Sequence, residues 1–122
     1  MQPLDVILLE RDTQVAQSLL SALAPLFASV REVPGVSELR TSIAKHRTRI
    51  AIVDLEAAPI SEVARLSHDF PHVCIVCTHR LADEEMWTAA LSAGAVDVCP
   101  PNDTRGILRA ALNTCTTNSA AA

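Results

Sequence analysis

Aromatic residues are scarce. The 122-residue chain has no Tyr, two Phe and one Trp, so any core it builds must be aliphatic, from Leu, Val, Ile and Ala. Lysine is rarer still, with Lys45 alone, and the net charge is −4. A mildly acidic chain of this kind lacks the basic footprint of a nucleic-acid binder. There are three glycines, Gly35, Gly94 and Gly106. None follows the first apolar run, so no glycine-rich phosphate loop is present there. No apolar run approaches the roughly 18 residues that a membrane span needs. The start, Met1-Gln2-Pro3-Leu4-Asp5, lacks the basic residues and long apolar stretch of a signal peptide. There is no nucleophile elbow, and His46, His68, His72 and His79 are scattered. The expectation is a soluble, cytoplasmic, non-enzymatic domain.

What is present is apolar sequence in short runs. Hydrophobic residues make up 49% of the chain and mean hydropathy is +0.25, enough to fill the core of one domain. Of the four cysteines, Cys74 and Cys77 form a C-x-x-C within His72-Val73-Cys74-Ile75-Val76-Cys77. Such spacing can signal zinc or redox chemistry. In a strand, however, residues three apart point to opposite faces, so these two are read as buried thiols rather than a shared site.

Five apolar runs alternate with helical patterns. The strands are read at 5–9, 29–33, 50–54, 73–78 and 96–99. Between the first two, Val15, Leu19, Ala22, Leu23 and Leu26 recur at helical steps behind an Asp12 or Thr13 cap, and Pro25 ends or bends that helix. Ser37, Ser61, Asp83 and Asp103 are read as caps of the remaining helices. Gly94 closes the fourth. The cluster Lys45, His46, Arg47 and Arg49 is read as a solvated helix end. Residues 1–113 then form one domain, with 114–122 a flexible tail or the start of a linker.

Buried strands alternating with helices imply a parallel sheet covered on both faces. The fold class is α/β: a flavodoxin-like, doubly wound, five-stranded sheet of order 2-1-3-4-5 with five helices. Ligands of such sheets bind beyond the carboxyl ends of the strands. Glu10, Arg11, Asp12, Asp54, Thr78 and His79 all fall there. Asp54 closes Ile50-Ala51-Ile52-Val53, a run so apolar that a carboxylate at its end is costly unless it serves a site.

These features resemble the receiver domain of bacterial response regulators, over residues 4 to 113. The resemblance rests on Ile7-Leu8-Leu9-Glu10-Arg11-Asp12, on Ile52-Val53-Asp54-Leu55 with Pro59 behind it, on Ile75-Val76-Cys77-Thr78, and on Ala90-Leu91-Ser92-Ala93-Gly94-Ala95-Val96-Asp97. It implies that Asp54 is the acceptor of a phosphoryl group from a histidine kinase and that Thr78 is the hydroxyl that binds the phosphate. Glu10 falls on the first of two Mg²⁺-binding acids. Arg11 falls on the second, where a guanidinium, which only donates, replaces a metal ligand. Pro101 stands where the family carries a lysine, Val98 where it carries a switch aromatic, and His79 where it carries a small residue that leaves the path to Asp54 open.

The departures point one way, toward an atypical pseudo-receiver that acts through protein contacts with little dependence on phosphorylation and no cofactor. Arg11 is expected to pair with Asp54, with about 1–4 kcal/mol of Coulomb attraction at 4 Å. Glu56 and Arg80 are expected to pair across the crevice mouth. The alternative is a phosphorylatable switch, in which Glu10, Asp12 and Asp54 hold Mg²⁺ in a shifted arrangement. The expected partner surface is Trp87 with Leu91, four residues on and on the same helical stripe. By the resemblance, the fourth helix, fifth strand and fifth helix make the face for a protein partner or a second copy. No nucleic acid or membrane is expected to bind this domain.

Overall fold

A computed structural model describes residues 2–115. The elements alternate as the apolar runs imply. They are β1 (Gln2–Leu9), α1 (Thr13–Leu23), β2 (Phe27–Glu32), α2 (Val36–His46), β3 (Ile50–Asp54), α3 (Ile60–Asp69), β4 (Cys74–Thr78), α4 (Glu84–Ser92), β5 (Asp97–Cys99) and α5 (Thr104–Arg109). The last helix runs on as a π-turn, Ala110–Cys115. The tail expected from Thr114 lies, beyond Cys115, outside the described residues. The strands form one sheet, β2-β1-β3-β4-β5, with every pairing parallel.

Each strand feeds both faces because successive side chains alternate. Ile7, Leu9, Ala51, Val53, Ile75 and Cys77 pack with Leu39, Ile43, Val63, Leu66 and Ala90 of α2, α3 and α4. Val6, Leu8, Ile50, Ile52 and Val76 pack with Ala16, Leu19 and Leu23 of α1 and Ile107 of α5. The central strand β3 is buried at all five positions, which explains why its sequence is apolar without alternation.

The helix starts divide by chemistry. Asp12, Asp83 and Asp103 cap α1, α4 and α5, each carboxylate accepting a first-turn N–H. Ser37 and Ser61 do not cap. Gly35 and Pro59 occupy those positions without a side-chain bond. There the apolar Val36 and Ile60 pack against the core cluster, and so begin the helix one residue before each serine. Gly94 has φ +110°, and a Cβ there would overlap Ser67 of α3. It therefore both stops α4 and lets the chain pass close to α3. Cys77 and Cys74 lie in opposite clusters, as the strand period requires. Cys77 and Cys99 are free buried thiols, and burial pushes each up to about 12. The buried-thiol reading fails for Cys74, which is disulfide-bonded.

The register brings the strand ends level. Leu9 pairs with Val53, and Asp54 with Thr78. Glu10, one residue beyond Leu9, thereby arrives beside Asp54.

Candidate functional site

The carboxyl ends of β1, β3 and β4 and the loop after β5 surround a cavity of about 330 Å³. Asp54 forms its floor and is 3% exposed. Its carboxylate is held by the backbone. The Arg11 N–H donates to Oδ2 at 3.0 Å and the Glu56 N–H to Oδ1 at 2.8 Å. Its carbonyl accepts the N–H groups of Ala57 and Ala58, both at 2.9 Å, which turns the chain sharply after β3. These two N–H groups satisfy both carboxylate oxygens of a buried side chain.

Glu10 is the second buried carboxyl, 8% exposed. Burial, then the negative charge of Asp54, then a hydrogen bond to Asp54 push it up to about 8. Two carboxyl groups side by side cannot both ionise cheaply, and Glu10 keeps the proton at neutral pH. Its Oε2 has no hydrogen-bond partner among the described residues. The same is true of the Thr78 hydroxyl, which is buried at the end of β4 beside Asp54 in register.

The mouth is charged. Arg80 donates to Glu56 from Nε at 3.0 and 3.1 Å and from Nη2 at 2.7 Å. Arg11 reaches the same carboxylate, Nη2 to Oε2, at 3.4 Å. Glu56 is thus clamped between two guanidinium groups, and the Arg80 hydrogen bonds hold its carboxyl below the usual range. The Glu56–Arg80 pair is as expected. The Arg11–Asp54 side-chain pair is not found. The Arg11 backbone, not its guanidinium, meets Asp54. Both Asp54 oxygens already accept N–H bonds at depth, and the long side chain stays out in solvent, 59% exposed, where Glu56 is within reach.

The remaining expected residues divide. Pro101 lines the cavity with Pro100 and Asn102 and offers no charge. Asp12 also lines it, but its Oδ1 accepts from the N–H groups of Gln14 and Val15 at the start of α1. His79 does not line the cavity. Its Nδ1 accepts the Leu81 N–H at 2.9 Å, and the neighbouring side chain that lines the cavity is Arg80. Val98 is buried in the core. Pro100 and Asn102 were overlooked in the sequence, although both adjoin Pro101.

The residues do not fit Mg²⁺ as they stand. That ion demands near-ideal octahedral oxygen ligation. Asp12 is committed to a helix cap, and position 11, where the second acid would stand, is a guanidinium. The shifted set Glu10, Asp12 and Asp54 does not gather: among the described residues no group of three His, Cys, Asp or Glu side chains converges as a metal set.

On α4, Met86, Ala90 and Ala93 pack against the core and Trp87 stands out, 46% exposed. Its Nε1 donates to Asp97 Oδ1 at 3.2 Å. Leu91 beside it is half-buried. Leu81, not singled out in the sequence, is 72% exposed at the turn before α4.

No protein-family model and no curated protein matches the chain by sequence. Solved structures match it throughout. The signal receiver domain of an HD domain-containing protein from Pseudomonas fluorescens superimposes with a TM-score of 0.84 at 16% identity, over 100% of both chains. A response regulator from Thermotoga maritima gives 0.82 at 18% identity, over 95% of this chain and 99% of that one. The Salmonella typhimurium RcsB response regulator gives 0.83 at 17% identity, over 97% of this chain but 62% of that one. The chain has the receiver-domain fold. At these identities the likeness is one of fold, and the crevice of this chain is defined by its own residues: a buried Glu10 beside Asp54, and a Glu56 clamp. Among the described residues no helix is long and apolar enough to cross a membrane.

The raised Glu10 makes the stability of this receiver fold depend on pH. An unfolded Glu loses its proton near 4.5, whereas folded Glu10 keeps it to about 8. Between those values the folded chain binds more protons, so stability is full below about pH 4.5 and falls as pH rises toward about 8. Glu10→Gln keeps the neutral shape and removes this term. Urea unfolding is expected to show a flatter pH profile for the variant, which becomes the more stable protein above pH 8 by roughly 1–3 kcal/mol. A variant that keeps the parent's slope would contradict the assignment.

Proposed function

We propose that this chain is a signal-transduction receiver module of the response-regulator type, working through protein contacts with little or no dependence on phosphorylation of Asp54. The observation that carries this reading is the Glu56 clamp over a floor that lacks a metal set. In the receiver resemblance, a metal held by two acids, together with a lysine, neutralises the charge of an incoming phosphoryl group, as phosphoryl transfer requires. Here those places hold a protonated Glu10, Arg11 and Pro101. The two cations at the mouth are already bound to Glu56. Asp54 is satisfied by backbone N–H groups. The crevice thus rests in one arrangement without any phosphate to hold it.

A second reading keeps Asp54 as a phosphoacceptor served by a histidine kinase. One observation favours it: the Thr78 hydroxyl is buried without a partner, and a free donor beside Asp54 is what a phosphoryl oxygen would use. The two readings part on exposure to beryllofluoride with Mg²⁺, which mimics an acyl phosphate. The first predicts amide resonances of residues 10–12, 54–58 and 78–80 that stay in place at millimolar reagent. A saturable shift centred on Asp54 would establish the second.

The partner face in this proposal is the surface of α4, β5 and α5, with Trp87 and Leu91 at its centre and a protein or a second copy of the chain as occupant. Trp is enriched among the residues that dominate interfaces. The hydrogen bond to Asp97 holds the indole in one place, which lowers the entropy lost on binding. This reading involves no nucleic acid or membrane contact by this domain. Trp87→Ala is expected to leave the fold intact, because the side chain is half out of the core, and to weaken self-association or partner binding by at least about tenfold. Sedimentation velocity and a partner pull-down measure it. Unchanged association would place the interface elsewhere.

A further inference from the structure

At the opposite end of the sheet from Asp54, a second hollow of about 560 Å³ lies where α2 ends, β3 begins and α3 turns into β4. Ile43, Ala44, Arg47, Arg49, Phe70 and His72 line it. No acidic side chain does. In a chain of net charge −4, four of the ten Lys and Arg residues fall within positions 40–49, and no Asp or Glu does. Arg40 is matched, for it pairs with Asp69 and sits over the Phe70 ring at 5.4 Å. Arg47 and Arg49 form no ion pair among the described residues.

A solvated helix end accounts for only part of this. Cations near the last carbonyls of α2 favour the helix dipole, which explains Lys45 and His46 in the last turn. It does not explain Arg49, beyond the helix end, or His72, which comes from the turn before β4. Nor does it explain the backbone of Arg47. With φ 52° and ψ 44°, it is the one non-glycine residue at positive φ among the described residues. This place usually takes glycine or asparagine. A long guanidinium side chain held there at a conformational cost, and lining a cavity, marks a candidate binding position.

We propose that this hollow binds a small phosphate-bearing molecule with a flat ring, of the nucleoside monophosphate class. Two unpaired guanidinium groups match phosphate oxygens in charge and in planar donor geometry. Phe70 and His72, edge to face with centroids 6.3 Å apart, supply aromatic contacts at the hollow, with Arg40 covering one face of Phe70. Ile43 and Ala44 complete an apolar side. The volume falls within the range of small-molecule sites. Nothing in this assignment depends on the Asp54 crevice or on the function proposed for it.

The test is a titration of the full chain, followed by amide resonances, with three probes: AMP, inorganic phosphate and adenosine. AMP is expected to shift residues 43–49 and 70–73 saturably at submillimolar concentration. Phosphate should shift the same residues only at higher concentration, and adenosine should shift none. The double variant Arg47→Ala/Arg49→Ala should bind AMP at least about tenfold more weakly. The single variants Arg47→Gln and Arg49→Gln carry the same test should the double variant lose its resonance dispersion. The proposal is overturned by shifts that do not saturate, by shifts centred on Asp54, by an effect of adenosine equal to that of AMP, or by affinity unchanged in the variants.

Discussion

The candidate site depends on the contact between two buried carboxyl groups. The parallel register sets Glu10 beside Asp54 at the ends of neighbouring strands, and neither can leave without breaking the sheet. Two such charges in a buried place repel, and the molecule resolves the conflict by leaving a proton on Glu10. The asymmetry follows from the donors available. Asp54 receives N–H bonds from Arg11 and Glu56, whereas Glu10 Oε2 receives none. A single proton then stands where a divalent cation would otherwise be needed to hold the pair together.

The surface above follows the same logic. Two guanidinium groups stand at the mouth, and Glu56 takes both. Exposed ion pairs are weak individually. Here three groups share one geometry across the mouth of a small cavity, so the clamp matters more for access to Asp54 than for stability. Arg80, not His79, lines the cavity. The imidazole is bound instead to the Leu81 amide.

The sequence allowed the fold to be read almost whole, since buried parallel strands are apolar on both faces and each run ends where the crevice begins. The alternation of strands and helices followed from the spacing of the apolar runs, and the strand order from the fold class that such alternation implies. The limits of β3 held, and those of the other strands moved by one to three residues, because hydrogen-bond pairing, not hydropathy, ends a strand. Ser37 and Ser61 misled because an apolar residue just before each was drawn into the core. At the site, Glu10, Arg11, Asp12, Asp54 and Pro101 line the crevice and Thr78 ends the strand beside Asp54, but identity did not determine contact. Arg11 meets Asp54 through its backbone, a group that carries no side-chain signature, and Asp12 serves a helix cap that competes with any ligand role. The free donor on Thr78 and the proton on Glu10 depend on burial and neighbours, which a sequence does not print.

The measurement that bears most directly on this account is the ¹³C carboxyl resonance of Glu10, followed against pH and then against Mg²⁺. A site held by a shared proton predicts that Glu10 titrates near pH 8 and that millimolar Mg²⁺ leaves its resonance unmoved at neutral pH. A Glu10 that ionises near 4.5, or that shifts saturably with Mg²⁺, would contradict it and return the crevice to metal-dependent chemistry.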